Sequence, residues 1–238
     1  MLRTMTRTGL LVLLGSLVAV PASAQIVQGL HFGGGWFIPR GLDSRVPGDV
    51  LVENLNSLTF NKSDFNSGQL FGEWLVEFGD HIEAGAGVGF YKGSAPSFYT
   101  DYQDSSNNFA NIEQTLSLRV VPISGFVRFL PFGRPSTVQP YFGVGVSALN
   151  YRYVEEGNFI DFSDNTIFPA TYVATGTAVG PLAIIGLRVP IKGDIWAFTT
   201  EWRHQWGSGD TGGAAAGFLN NKIDLGGSNI SFGFMMRF

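Results

Sequence analysis

The sequence predicts an all-β fold, an eight-stranded antiparallel up-and-down transmembrane β-barrel. Three observations predict it. First, residues Ile230 to Phe238 place apolar groups at Ile230, Phe232, Phe234, Met236 and Phe238, with smaller or polar residues between them except at Met235. A period of two marks a strand with two different faces. Second, the chain has 32 Gly, 14% aromatic and only 14% charged residues, whereas about a quarter of a soluble domain is charged. High Gly, high aromatic content and low charge suit strands with lipid on one side and a crowded lumen on the other. Third, eight alternating stretches recur along the chain, separated by connections that are short and long in turn.

The N-terminus reads as a secretory leader. Arg3 and Arg7 form a charged region, Gly9 to Val20 an apolar run, and Ala22-Ser23-Ala24 a cleavage site before Gln25. The apolar run is too short to span a bilayer as a helix. Two segments follow from this: a signal peptide over 1–24 and a barrel domain over 25–238. The chain has no Cys, which removes disulfides, thiolate metal sites and lipid attachment at a mature N-terminal Cys. Beyond the leader no apolar run approaches 18 residues, which excludes helical spans. Losing Arg3 and Arg7 with the leader takes the formal charge from −4 to −6, against a nucleic-acid partner.

Strands are expected near 28–39, 69–79, 81–93, 114–131, 138–154, 175–191, 195–207 and 223–238. Three connections are short, at Gly79-Asp80, Phe132–Thr137 and Lys192-Gly193-Asp194. Four are long and polar, at 40–68, 94–113, 155–174 and 208–222. An even strand count with this alternation puts both termini on the short-turn side. Within the first long connection, Val50-Leu51-Val52, Leu55 and Leu58-Thr59-Phe60 are apolar enough to fold as a small helix or strand above the barrel.

Parity assigns the faces. In the third strand Ala84, Ala86, Val88 and Phe90 point to lipid, and Glu83, Gly85, Gly87, Gly89 and Tyr91 point inward. In the fifth, Phe142, Val144, Val146 and Ala148 point out, and Tyr141, Gly143, Gly145 and Ser147 point in. Gly33 and Gly35 line the lumen in the first. In the seventh, Trp196, Phe198, Trp202 and Trp206 face out, with Trp196 at one rim and Trp202 and Trp206 at the other. These are pieces of two aromatic girdles. Pro122 and Pro181 fall inside strands; proline cannot donate to a ladder, so each predicts a bulge. Arg119 and Arg128 are nine apart, and a bulge at Pro122 would turn both inward, avoiding a lipid-facing Arg that costs roughly 2–4 kcal/mol at mid-membrane.

Two stretches carry a resemblance. Pro122-Ile123-Ser124-Gly125-Phe126-Val127-Arg128-Phe129, followed by Gln139-Pro140-Tyr141-Phe142-Gly143-Val144-Gly145-Val146, resembles the strand–turn–strand core of the small bacterial outer-membrane β-barrel superfamily (porin-like, of the OmpA, OmpX and OmpW type). Ser231, Gly233, Met236 and Phe238 match the spacing of that superfamily's C-terminal assembly signal, with Met236 where an aromatic is commoner. The resemblance implies an outer-membrane location in a Gram-negative-type bacterium with both termini periplasmic. It implies as partners outer-membrane lipid and lipopolysaccharide, the β-barrel assembly machinery and periplasmic chaperones. No surface ligand is named by it.

Catalytic chemistry is weakly indicated. Some eight-stranded barrels of this kind are lipid A deacylases; the matching residues would be His204, Ser208 and Glu201. The sequence after His204 departs from that motif, and parity separates His204 from Glu201. His31 and His81 read as structural. Asp161, Asp164 and Asn165 are acidic and amide neighbours of the sort that bind divalent cations, though such loop acids are usually solvated. We therefore expect no enzyme activity, cofactor or metal. The residues expected to matter are a lumen charge cluster. Parity with the bulge points Glu73, Glu77, Glu83 and Glu201 inward with Arg119, Arg128, Arg188, Arg203 and Arg237. Eight strands enclose a space that side chains can just fill, and an unpaired charge there is expensive. A plugged lumen with a structural or surface-interaction role is therefore expected; the alternative is a narrow channel for small or hydrophobic solutes.

Overall fold

The computed structural model describes residues 27–192 and 195–238. The expected leader, 1–24, and the turn residues Gly193 and Asp194 lie outside them. Eight long strands form the ring: β1 (Val27–Pro39), β2 (Ser67–Phe78), β3 (Ile82–Asp104), β4 (Ala110–Phe129), β5 (Gln139–Asp161), β6 (Thr166–Lys192), β7 (Trp196–Gln205) and β8 (Gly227–Arg237). Each pairs antiparallel with the next, and β8 returns to β1 with Gly29 opposite Arg237 and Pro39 opposite Gly227. The ring is closed, so none of the eight strands leaves a free edge. Gln28 and Phe238 exchange both backbone hydrogen bonds, at 3.2 and 2.9 Å, so the two ends of the ring's chain meet on the short-turn side.

Exposed apolar residues surround the ring's lower half: Phe32, Trp74, Val88, Ile123, Val144, Val179 and Phe234 among others. Such a belt on a closed barrel is the surface of a membrane-spanning protein, because the strands that carry it are paired with neighbours on both sides. Trp196, Trp202 and Trp206 are on this outer face. Inside, small residues make room for large ones. A Cβ at Gly186 would collide with the ring of Tyr141, and one at Gly85 with Phe126.

The strands on one side are much longer than a membrane needs. The stretches 94–113 and 155–174, expected as long loops, are mostly strand. β3 and β4 run on until only residues 105–109 separate them, and β5 and β6 until only 162–165 do. The physical reason is a change of the outward face from apolar to polar. Below Lys92 the strands are apolar outside, and inside they carry charged and small residues beside a compact apolar cluster of Leu75, Phe126, Leu182, Ile184 and Met235. Above it, Ala95, Tyr99, Leu116, Leu118 and Tyr153 point into the barrel and are buried, while Ser94, Asn111, Ser117 and Asn158 point out. The extension is therefore a soluble β-structure built on a membrane one. From Lys92 to Asp104 it rises roughly 30 Å.

Pro122 does not create a bulge. The β4–β5 register runs unbroken through Pro122 opposite Leu149. The β3–β4 ladder skips the Gly89 and Phe90 steps beside it and resumes unshifted, with Val88 opposite Ile123 and Tyr91 opposite Val120. Gly89 leaves space for the proline ring. Arg119 consequently faces outward and is exposed, contrary to the lumen position predicted for it. The lipid penalty is avoided in another way: Arg119 lies on the row where the apolar belt ends. Pro181 makes no bulge either. Its pairing with Val146 is in register, and its carbonyl accepts from Trp206 beyond the end of the β6–β7 ladder, where a missing N–H costs no ladder bond. Register shifts occur instead between Phe98 and Gln103 and between Pro190 and Lys192.

Candidate functional site

The lower lumen holds two linked clusters of charge. In the middle, Arg128 Nη2 donates to Glu73 Oε2 at 2.7 Å and to Glu201 Oε2 at 2.8 Å. Arg203 pairs with the same two carboxylates from the other side. Tyr141 donates its hydroxyl to Glu201 Oε2 at 2.9 Å, and His31 bridges Glu73 and Thr199 with both ring nitrogens at 2.8 Å. Nearer the termini, Arg188 holds Glu83 in a two-pronged pair at 2.5 and 2.8 Å. Arg237 donates to Glu77 at 2.7 Å, and Arg134 closes the rim by donating to Glu77 at 2.6 Å and to Asp80 at 3.2 Å.

Four carboxylates thus meet four guanidiniums inside the ring, and the lumen balances because Arg119 is not in it. Arg128 and Arg188 are buried, at 1% and 0% exposure. Their guanidiniums lie over aromatic faces, Arg128 at 4.5 Å from the Phe126 centroid and 4.9 Å from Tyr141, Arg188 at 5.5 Å from Tyr141. Aromatic faces stabilise planar cations that lack a full set of acceptors. Arg128 springs from the backbone opposite Glu83, near the termini, and its side chain reaches the middle cluster.

The upper lumen is filled differently. Helix α1 (Val50–Asn54) in the first loop drops Val50 and Leu51 into an apolar cluster with Phe65, Leu116, Tyr153, Phe218 and Ile223. Leu58 and Thr59 add two residues of strand beside β3, and 208–210 pair with 222–224. Asp49 fastens this cover. It caps α1 by accepting from Leu51 N at 3.0 Å, pairs with Arg45 at 2.7 Å, and accepts from Asp224 N at 2.6 Å. Asp224 in turn accepts from Val46 N and Arg40. The first and fourth outer loops are therefore clamped together through buried charges. Below, Asn54 and Tyr153 both donate to Glu155 Oε1, at 2.7 and 2.8 Å, and burial raises that carboxyl above the ordinary range. Between the two fillings remains a cavity of about 20 Å³ lined by Gln69, Glu73, Arg203 and Asn229, room for about one water.

Asp49→Ala is expected to free the cover. It leaves Arg45 buried without its partner, a loss of roughly 3–5 kcal/mol for a buried pair. Limited trypsin digestion should then cut at Arg45, which wild type protects. Equal protection at Arg45 would show that the clamp does not hold the loop.

The remaining candidates do not assemble into a reactive centre. His204 lies between Trp202 and Trp206 on the outer face and bonds Ser228 at 2.9 Å, while Glu201 is inside with its arginines. Asp161 accepts from Ser163 N and Oγ, and Asp164 from Thr166 N and Oγ1; both close the β5–β6 hairpin. His31, Glu73 and Glu201 have donor atoms within 4.8 Å of one another, but Arg128 and Arg203 already occupy that space, which disfavours a metal ion. His81 donates from Nδ1 to the Leu130 carbonyl, 2.8 Å away, in a turn. Ser231 is buried, Gly233 faces Thr199 and His31, and Phe238 is exposed and meets Trp74 edge-to-face at 5.9 Å. Met236 is half-buried opposite Leu30 and Trp196. Sequence reasoning missed Arg45, Asp49 and Asp224. An Asp directly before Val50-Leu51-Val52 is a helix-cap signal, but nothing in the sequence joins it to Asp224.

Ring, belt and filled lumen define an eight-stranded transmembrane β-barrel. No known family profile and no curated protein matches the chain. Among solved structures it is similar to the N-terminal β-barrel domain of Pseudomonas aeruginosa OprF, with 12% identity over 90% of this chain and 98% of that one and a TM-score of 0.42. It is similar to Neisserial surface protein A, with 11% identity over 90% and 96% and a TM-score of 0.43. It is also similar to Ail, the attachment invasion locus protein of Yersinia pestis, solved with the heparin analogue sucrose octasulfate, with 10% identity over 90% and 98% and a TM-score of 0.37. The fold assignment rests on the closed ring itself.

Proposed function

We propose that the protein is a non-conducting outer-membrane barrel that works at the cell surface through the part of its strands and loops beyond the bilayer. The observation that carries this reading is the double filling of the lumen: balanced ion pairs below, an apolar cover clamped by Asp49 and Asp224 above. The reading places both termini in the periplasm, because short turns belong there and long elements outside. In that orientation the distal hairpins present aromatic tips to the medium: Phe109 is 65% and Phe162 59% exposed, and Phe162 packs with Tyr99 and Tyr102. The surface-interaction role is supported by this height and by these tips. Assembly would use periplasmic chaperones and the barrel assembly machinery, with Ser231, Gly233, Met236 and Phe238 as the signal.

Single-channel recording of the purified, refolded protein in planar bilayers tests it. Silence is expected. Stable openings would replace this function with a narrow channel for small or hydrophobic solutes. Orientation has its own test. Trypsin added to intact cells should cut at Lys62 or Lys222 in the outer loops, whereas cleavage after Lys192 before the membrane is breached would invert the topology.

A further inference from the structure

Arg119 is the one lumen residue the structure moved, and its new place has neighbours. Lys92 on β3 stands opposite Arg119 on β4, and Arg119 stands opposite Arg152 on β5. All three are exposed on the outer face. Adjacent strands lie about 4.8 Å apart, so three cations share one row about 10 Å long. None forms a hydrogen bond or ion pair with any described residue. Like charges directly opposite in a sheet are destabilising, and here the arrangement occurs twice in succession.

The row's height gives the pattern a meaning. One step below it along the outer face are Phe90 and Val121, the last of the apolar belt on β3 and β4; one step above are Ser94 and Ser117, bonded to each other at 2.9 Å. The cations therefore sit where acyl chains end and headgroups begin. Phe90, Lys92, Ser117, Arg119, Arg152, Val154, Glu156 and Thr171 line a groove of about 400 Å³ there. Its lining offers two hydroxyls, an ammonium and two guanidiniums, donors suited to phosphate oxygens. Its single carboxylate, Glu156, lies two same-face positions beyond Arg152 on β5.

We infer that Lys92, Arg119 and Arg152 form a binding site for the phosphate groups of a phosphorylated glycolipid headgroup in the surrounding leaflet. The inference rests on the proposed orientation, which sets that leaflet as the outer one. The bound headgroup neutralises the row and anchors the barrel at the height where its soluble extension begins. It also explains how three adjacent strands can each carry an unpaired cation at the edge of a bilayer.

The test uses the refolded full-length barrel in detergent, where orientation plays no part, with bis-phosphorylated lipid A and its dephosphorylated form as probes, read by native mass spectrometry. The phosphorylated lipid should bind and the dephosphorylated form should not. A juxtamembrane cation is worth about fivefold in binding to an anionic lipid surface, so the triple Lys92→Gln, Arg119→Gln, Arg152→Gln variant should lose on the order of 100-fold. Lys222→Gln, in the cover, should bind as wild type does. Heat-modifiable gel mobility confirms that each variant is folded; if the triple variant is not, the single Arg119→Gln variant carries the test with a loss of about fivefold. Equal binding of both lipids, or undiminished binding by the folded variants, overturns the site. Complete displacement of the lipid by excess inorganic phosphate would show a site for a free anion and overturn the headgroup assignment. A failure of the orientation appears only in the protease experiment on cells.

Discussion

Arg128→Ala is expected to lower the unfolding free energy of the refolded barrel by roughly 3–5 kcal/mol, the cost of removing one partner from a buried ion pair. Arg128 is wholly enclosed and donates to both Glu73 and Glu201. Without it, Arg203 alone faces two carboxylates, and His31 and Tyr141 lose the charge balance around their partners. Urea unfolding in lipid vesicles, followed by tryptophan fluorescence, reads the loss. Exchanging the charges for neutral groups together is far gentler than removing one, so Arg128→Met combined with Glu201→Gln should recover part of it. Unchanged stability with raised conductance in Arg128→Ala would make the network a gate and the barrel a channel.

Deleting Phe238 is expected to reduce the amount of barrel in the outer membrane to a small fraction, while the refolded protein keeps most of its stability. Phe238 is 59% exposed. Its ring touches Trp74 at one edge, and its backbone shares two hydrogen bonds with Gln28. A side chain that remains largely outside the protein contributes little burial to the fold, so a large effect in cells would come from recognition through Ser231, Gly233, Met236 and Phe238. Quantitative immunoblotting of outer-membrane fractions measures the first effect, and urea unfolding of refolded protein the second. Equal outer-membrane yield would remove Phe238 from any assembly signal.

The barrel was legible in the sequence because alternation is a local property. A strand between lipid and lumen must repeat every second residue, and Ile82 to Tyr91 or Tyr141 to Ala148 show this without reference to any partner. Eight strands and their order follow from the recurring alternation and the short and long connections, and the inward faces of Glu73, Glu83 and Arg128 from parity. The same rule misled where the environment changed along a strand. Above Lys92 the alternation continues but its outward face turns polar, so 94–113 and 155–174 read as polar loops when judged by lipid-facing residues. Arg119 is the sharpest case. With every strand assumed to stop at the membrane, its parity demanded a bulge at Pro122; the ladder instead runs straight, and the strand is long enough to carry Arg119 to the interface.

What the sequence by itself determined is the periodic part: the strand class, the count, the two girdle tryptophan groups and which charges turn inward once the register is unbroken. What only the tertiary structure decided is which groups meet across the ring. Arg188 finds Glu83 across a separation of 105 residues, Arg128 turns to the middle cluster and away from the rim, and Asp49 meets Asp224 through loops whose path no pattern encodes. The physical reason is that side-chain alternation sets direction relative to a strand's own backbone. Height along the barrel and proximity across it depend on shear and closure, which exist only when all eight strands are joined.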